Sequence, residues 1–294
     1  MDRETAKIDN LIAKKERLIE LLEEKRSALI THAVTRGLNP NAPLRDSGIE
    51  WLGQIPAHWE VLQLKRTFRG CNYGTSESSS GVGSIRVLGM GNVQEGEIVL
   101  PEFGVTDEID DNLLLNTNDL LFNRTNSREL VGKVGIFRGV REDRVAFASY
   151  LVRLRCNPRA EPEYLNFLLN SKGVLSFVQS LALLSVNQAN LNPSRYGKAK
   201  IPLPPVNEQR SIATHLRNIC EHLGGLIAEI HRGTERLKEY RAALVTEAVI
   251  AYIVSRERME AIFETLEVLS NPQAVQALRD HKSGRTRFMP LSTL

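Results

Sequence analysis

The sequence predicts an α+β fold. One α/β globule is bracketed by two long helices that pair as an antiparallel coiled coil, and a small C-terminal strand–helix tail follows. Three observations predict this arrangement. A helical segment recurs after 215 residues, short apolar runs separated by Gly, Asn and Asp lie between the two copies, and the sequence changes character after the second copy. The predicted order is therefore helix, globule, helix and tail.

The repeat defines the two helices. Residues 11–34, LIAKKERLIELLEEKRSALITHAV, match residues 226–249, LIAEIHRGTERLKEYRAALVTEAV, at 13 of 24 positions without a gap. Both copies follow an apolar heptad, which is typical of a coiled coil. The predicted seam comprises Ile8, Leu11, Leu18, Leu22 and Leu29 in the first helix, and Ile212, Leu216, Ile219, Leu223, Leu226, Ile230, Leu237, Tyr240 and Leu244 in the second.

The segment between the helices has the pattern of a globular domain. Residues 37–60 are rich in Asn, Pro and Gly and predict a connecting loop. Short apolar runs in residues 61–155 predict strands, and residues 162–182 predict a helix. The IPLPP segment at 201–205 predicts a stiff break before the second long helix.

The tail covers residues 250–294. AYIVS predicts a short strand, RERMEAIFETLEVL an amphipathic helix, and NPQAVQALRDHKSG a second short helix closed by glycine. These elements predict a small appended unit.

The composition limits the functional classes. The 42% apolar and 25% charged content is that of a globular protein, and no secretory signal or long uncharged apolar run is present, which predicts a cytoplasmic protein without membrane contact. The cysteines show no CxxC pattern, so nothing supports a zinc or disulfide framework. No P-loop, GxGxxG-plus-helix or NPPY-type methyltransferase motif occurs. We expect a non-catalytic protein that binds no cofactor of its own.

A basic segment and three polar loops suggest contact with DNA. Residues 112–205 contain 13 Lys or Arg against 6 Asp or Glu. Arg, Asn and Gln read base edges in the major groove, whereas Lys, Arg, Ser and Thr bind phosphates. The candidate contacts are Asn72, Tyr73, Thr75, Ser76, Arg124, Thr125, Asn126, Ser127, Arg128, Lys133, Asn187, Gln188, Asn190, Arg195 and Lys198. Each alone fits an ordinary turn residue, and Asn187 and Asn190 also fit a bracing role. Together the three clusters favour DNA binding.

Several motifs resemble one known family. They are SGIEWLGQIPAHWEV at 47–61, DLLFNRTNSRELVGKVGIF at 119–137, and IPLPPVNEQR at 201–210. This combination resembles the specificity subunit of type I restriction-modification systems. The resemblance implies a spacer-helix part at 1–36, a connecting loop at 37–60, a target-recognition domain at 61–204, and a second coiled-coil helix at 205–249. The family pattern has two recognition domains and two helical regions, whereas this sequence has one recognition domain, one complete helical region and the back part of another.

The resemblance also implies partners. Double-stranded DNA would be read at one half-site, methyltransferase subunits would dock on the helices, and a motor-nuclease subunit would complete the complex. S-adenosylmethionine and ATP would belong to those partner subunits. The near-identity of the two helices leads us to expect a homodimer that rebuilds the missing twofold.

The tail, residues 250–294, resembles the C-terminal, toxin-binding part of Phd/RelB-type antitoxins. It is either a fusion remnant or a toxin-binding segment. The alternative function is that of a truncated, non-productive interaction protein, which sequesters methyltransferase or binds a toxin through this tail.

Overall fold

The computed structural model describes residues 2–76, 81, 83–102, 105–185, 188–270 and 272–282. Its helices are α1 (Asp2–Arg36), α2 (Pro162–Asn170), α3 (Lys172–Ser180), α4 (Pro193–Lys198), α5 (Val206–Ser270) and α6 (Pro272–Lys282). Its strands are β1 (Leu44–Asp46), β2 (Gln54–Pro56), β3 (Glu60–Gln63), β4 (Phe68–Tyr73), β5 (Arg86–Leu88), β6 (Val93–Gln94), β7 (Glu97–Ile98), β8 (Leu120–Asn123), β9 (Thr125–Asn126), β10 (Val134–Ile136), β11 (Val145–Phe147), β12 (Leu151–Cys156), β13 (Leu183–Ser185), β14 (Gln188–Asn190) and β15 (Lys200–Leu203).

The chain divides into two compact units. The globular unit comprises residues 20–226, and the helical unit comprises residues 1–19 and 227–294. The sheets lie in the globular unit, and the helical unit is built from parts of α1 and α5 together with α6. The mixed α+β composition agrees with the predicted fold class.

A six-stranded sheet organises the globular unit. Its strand order is β4-β12-β8-β10-β7-β6, and its pairs are antiparallel except β10 with β7. The central strand β8, LLFN, is buried along its whole length because side chains of alternate residues enter two different cores. Phe122 packs with Trp59, Tyr164 and Tyr196 in the larger core, whereas Leu121 packs with the second core.

Residues 162–182 form two helices rather than the single helix predicted. The chain is extended at Ser171, which ends α2 and precedes α3. The Ser171 hydroxyl donates to the Leu168 carbonyl over 2.6 Å, so it satisfies one carbonyl that the helix end leaves open. Competition of serine side chains with helical hydrogen bonds explains the break.

The proline-rich motif joins three segments of the globular unit. The buried Gln209 side chain donates to the Pro204 and Arg159 carbonyls and accepts from the Glu161 amide. Glu208 accepts from the indole of Trp59 over 3.1 Å. The residues that follow the prolines therefore attach the start of α5 to α2 and to the entry segment of the domain.

The two long helices pair in antiparallel fashion, as predicted. In the helical unit, Arg241 Nε lies 2.6 Å from Asp9 Oδ1, and Lys238 Nζ lies 3.6 Å from Glu16 Oε1. Residue numbers at the paired positions therefore increase along α1 and decrease along α5, as in an antiparallel pair. Most predicted seam residues face inward: Ile8, Ile212, Leu216 and Leu223 are buried, and Leu22, Leu29, Ile219, Ile230, Leu237 and Leu244 are half-buried.

Four of the fourteen predicted seam residues are exposed, two in each helix. Leu11 and Leu18 are each 44% exposed, whereas Ile19, next to Leu18, is only 7% exposed. In α5, Leu226 is also exposed and Tyr240 is 57% exposed. A leucine is followed directly by an isoleucine at 11–12, 18–19 and 226–227, so the sequence admits two phases there. In each of these pairs the packing covers the isoleucine more than the leucine.

The tail also differs from the prediction. Residues 251–255, AYIVS, were expected to form a strand, but they lie within α5, which continues to Ser270. No glycine or proline occurs from 234 to 271, and an established helix propagates through β-branched residues at little cost. The short helix predicted after Asn271 corresponds to α6. Residues 283–294 lie outside the described part of the chain.

None of the described helices has an apolar stretch long enough to cross a bilayer.

Candidate nucleic-acid interface

The first two predicted clusters meet at one end of the six-stranded sheet. β4 is an edge strand and is exposed along most of its length, and Tyr73 at its end is 48% exposed. The Arg124 guanidinium lies 5.2 Å from the centroid of the Tyr73 ring. Arg124 Nη1 also donates to the Ser149 carbonyl over 3.3 Å. A cation stacked on an exposed aromatic ring suits contact with phosphates and base edges.

The third predicted cluster joins the second through a small sheet. β14 pairs with β9, so that Ala189 faces Asn126 and Asn190 faces Thr125. Thr125 is buried, and its hydroxyl accepts from the Asn190 amide over 3.0 Å. Thr125 and Asn190 therefore brace the two strands. The prediction that Thr125 contacts DNA is wrong, because its hydroxyl faces the interior.

These segments form what we call the recognition strip, residues 72–76, 124–128 and 188–190. Within it Asn72, Tyr73, Ser76, Arg128 and Gln188 are exposed, and Thr75, Arg124, Asn126 and Ser127 are half-buried. Arg195 and Lys198 are exposed on α4. Arg195 Nη1 lies 3.5 Å from the Leu181 carbonyl, just before β13, which pairs with β14. The predicted contact Asn187 lies outside the described residues.

Lys133 is not part of the recognition strip. It lines a cavity of about 660 Å³ together with residues of α1, α2 and α5. In that cavity Arg217 donates to both carboxylate oxygens of Glu163, over 3.1 and 2.5 Å, and Arg138 donates to Glu163 and Glu97. The hydrogen bonds to Glu97 raise the pKa of Arg138. These ion pairs hold α5 and β7 against α2. Arg138 and Arg217 therefore have a structural role.

Sequence reasoning missed Arg153. This residue of β12 is 5% exposed, and its guanidinium lies 5.6 Å from the centroid of the Phe147 ring. Its Nη1 donates to the Leu114 carbonyl over 3.1 Å, and its Nη2 donates to Asn72 Oδ1 over 3.3 Å. Burial lowers the pKa of Arg153. Alternation along the strand LVRLRC places Arg153 with Arg155 on the face opposite Val152 and Leu154, so no local pattern indicates that this arginine is buried.

Arg155, two residues further along β12, has a different role. It forms a bidentate pair with Asp119, at 2.7 and 2.6 Å, and Asp119 also accepts from the Asn116 amide over 2.8 Å. The bonds to Asp119 raise the pKa of Arg155. Asp119 is only 2% exposed, so this pair belongs to the framework of the domain.

No group of three or more His, Cys, Asp or Glu side chains suited to hold a metal ion occurs within the described ranges. The candidate site is thus a polar surface with stacked and hydrogen-bonding groups.

Comparison with known proteins identifies the family of this architecture. Residues 59–232 match the model described as "Type I restriction modification DNA specificity domain". The chain is 28% identical over 207 residues to the putative type I restriction enzyme MjaX specificity subunit of Methanocaldococcus jannaschii, with 68% of this chain and 48% of that protein covered. It is 22% identical over 268 residues to the type I restriction enzyme EcoKI specificity subunit of Escherichia coli K12, with 88% and 56% covered.

A solved structure agrees in fold. It is described as "Structural basis underlying complex assembly and conformational transition of the type I R-M system" and gives a TM-score of 0.53 at 19% identity, covering 82% of this chain and 56% of that chain. The chain spans about half the length of the curated relatives it matches.

Proposed function

Because the chain belongs to the type I restriction modification DNA specificity domain family, we propose that it is a DNA-recognition subunit that reads one half-site and docks methyltransferase subunits. The observation that carries the proposal is the recognition strip, in which Arg124 stacks on the exposed Tyr73 and Asn126 pairs with β14. The role is one of recognition, with the chemistry left to partner subunits.

The strip has the chemistry that half-site reading needs. Its amide and guanidinium groups, on Asn72, Arg124, Asn126 and Gln188, can pair with base edges. The exposed Arg128 and the basic residues of α4 can bind phosphates on either side. A single recognition domain of this size covers one short run of base pairs, which supports one half-site per domain.

Co-expression with the cognate methyltransferase tests this function. Single-molecule mapping of methylated adenines should reveal a new sequence motif, and Arg124→Ala should abolish or relax it. Arg159→Ala is a suitable control, because Arg159 pairs with Glu60 on the surface outside the strip. A soluble complex of this chain with methyltransferase that methylates no new motif would contradict the proposal.

The outer surface of the helical unit supports methyltransferase docking. Leu11, Leu18 and Tyr240 leave large apolar side chains exposed there. Tyr240→Arg should reduce co-purification of methyltransferase, whereas Leu44→Arg, at a similarly exposed position outside the helices, should not. Equal retention by both variants would argue against docking on this surface.

The homodimer expectation gains no support. Within one chain, α1 pairs with α5, so a dimer that uses the same seam has to displace α1. Sedimentation equilibrium should then give a monomer at micromolar concentration, whereas the homodimer expectation requires a dimer. The toxin-binding alternative gains no support, because the family match ends at 232 and the predicted strand of the tail is helical.

A further inference from the structure

The neighbouring strands β12 and β4 bring a buried cation against an exposed amide. Arg153 stands directly opposite Asn72 in the antiparallel register. Its Nη2 donates to Asn72 Oδ1 over 3.3 Å, while Nη1 is held by the Leu114 carbonyl. Asn72 is exposed, and its Nδ2 forms no hydrogen bond with any residue that the structure describes. The amide is thus held by its oxygen only.

The buried position of Arg153 is energetically costly. A guanidinium removed from water loses hydration, and an ion pair normally compensates the loss. Arg153 forms no ion pair among the described residues, and its Nε is buried without a hydrogen-bond partner. Burial accordingly lowers its pKa. An apolar side chain would fill the same space between Phe147 and β4 at lower cost, so packing alone does not account for an arginine here.

The contact with Asn72 gives the arginine a specific consequence. An asparagine amide can turn over and exchange its donor and acceptor. Arginine has only donors, so Arg153 accepts just one of the two orientations, with Oδ1 facing the guanidinium and Nδ2 left as a donor. In the major groove, a single donor can pair with guanine N7 or O6, thymine O4 or adenine N7. Only guanine presents two adjacent acceptors to the amide hydrogens, whereas the bidentate pairing with adenine also requires the amide oxygen, which faces Arg153.

We propose that Arg153 is a positioning residue that fixes Asn72 as a hydrogen-bond donor, so that Asn72 reads an acceptor edge of the half-site, with guanine as the favoured base. This inference rests on the proposed function and adds the kind of base edge that one residue recognises. It concerns one position of the motif and leaves the other contacts of the recognition strip unchanged.

Methylation mapping of single and double variants tests it. Asn72→Ala should lower discrimination roughly tenfold at a single motif position occupied by a G·C base pair. Arg153→Met should relax that same position, and the double variant should be no more relaxed than Asn72→Ala alone, because both changes remove one interaction. Arg155→Met is the matched control: it removes an arginine from the same strand and destabilises the domain, but should leave the motif unchanged. Relaxation at different positions, or an A·T base pair at the affected position, would overturn the proposal.

A measurement without DNA separates this inference from the proposed function. In protein labelled with ¹⁵N-asparagine, the side-chain amide of Asn72 should be rigid in the wild type and mobile in Arg153→Met. Unchanged mobility would refute the positioning role even if methylation occurs. If the Asn72 amide is rigid in the wild type and mobile in Arg153→Met, the positioning role of Arg153 is supported. If the wild type also methylates no motif, the proposed function is refuted while the positioning role stands.

Discussion

Replacing Ile19 by alanine should destabilise the pairing of α1 and α5 far more than replacing its neighbour Leu18. Ile19 is 7% exposed and Leu18 is 44% exposed. Either change removes three carbon atoms. At about 0.8 kcal/mol per buried CH₂, Ile19→Ala costs about 2.4 kcal/mol, and a cavity term raises the cost to about 3 kcal/mol. For Leu18→Ala roughly half of the carbon surface is already hydrated, so the cost is about 1 kcal/mol or less.

Urea unfolding followed by far-ultraviolet circular dichroism measures both changes. Hydrogen exchange of peptides from α1 assigns the effect to this helix, because the chain has two compact units that can unfold separately. We expect faster exchange across α1 in Ile19→Ala and near wild-type exchange in Leu18→Ala. Equal destabilisation by the two changes, or a larger effect at Leu18, would contradict the burial of Ile19. It would support the heptad prediction, which places Leu18 in the seam.

Three further changes test other parts of the structure. Gly74→Ala should destabilise the end of β4 by more than about 2 kcal/mol, because a Cβ there would lie 2.2 Å from the carbonyl oxygen of Phe147. Gly70→Ala is the control: a Cβ at this position meets no such contact, so thermal unfolding should be unchanged. Glu163→Ala should cost about 1–2 kcal/mol in urea unfolding, because two half-exposed arginines lose their shared carboxylate. No measurable cost would contradict the structural role of the pairs. Burial raises the pKa of Cys156 to about 12, so at pH 8 this thiol should react with iodoacetamide far more slowly than the exposed Cys71. Mass spectrometry measures the labelling of each cysteine. Comparable labelling of both would contradict the burial of Cys156.

The sequence predicted the arrangement of elements well because the strongest signals are local. The repeat, the Pro-rich break before α5 and the short apolar strands each follow from residue pattern alone. The proline-rich motif contributed to the resemblance to the family, but its contacts could be seen only in the structure. Gln209 contacts the Glu161 amide and the Arg159 carbonyl, which are distant in sequence, and no local pattern indicates such a contact.

The predictions that the structure corrects share a physical cause. In each case the local sequence fits two conformations or environments about equally well, and tertiary contacts determine which one forms. Leu18 and Ile19 are both apolar, and only the partner helix decides which one is buried. The segment AYIVS has the composition of a strand, but it pairs with no strand among the described residues and lies within the continuous helix α5. Lys133 has the residue type of a phosphate contact, but the turn before β10 directs it to the cavity beside α5. Arg153 was passed over because it lies in an apolar strand.

The central claim is that residues 61–204 read one half of a bipartite DNA sequence. A chimera tests it most directly: these residues replace one recognition domain of a full-length type I specificity subunit whose methylated motif is known. Single-molecule sequencing of the host genome then gives the motif of the chimera. The account predicts that one half of the motif changes and the other half stays. A folded, methylating complex that keeps the original motif in both halves would contradict it.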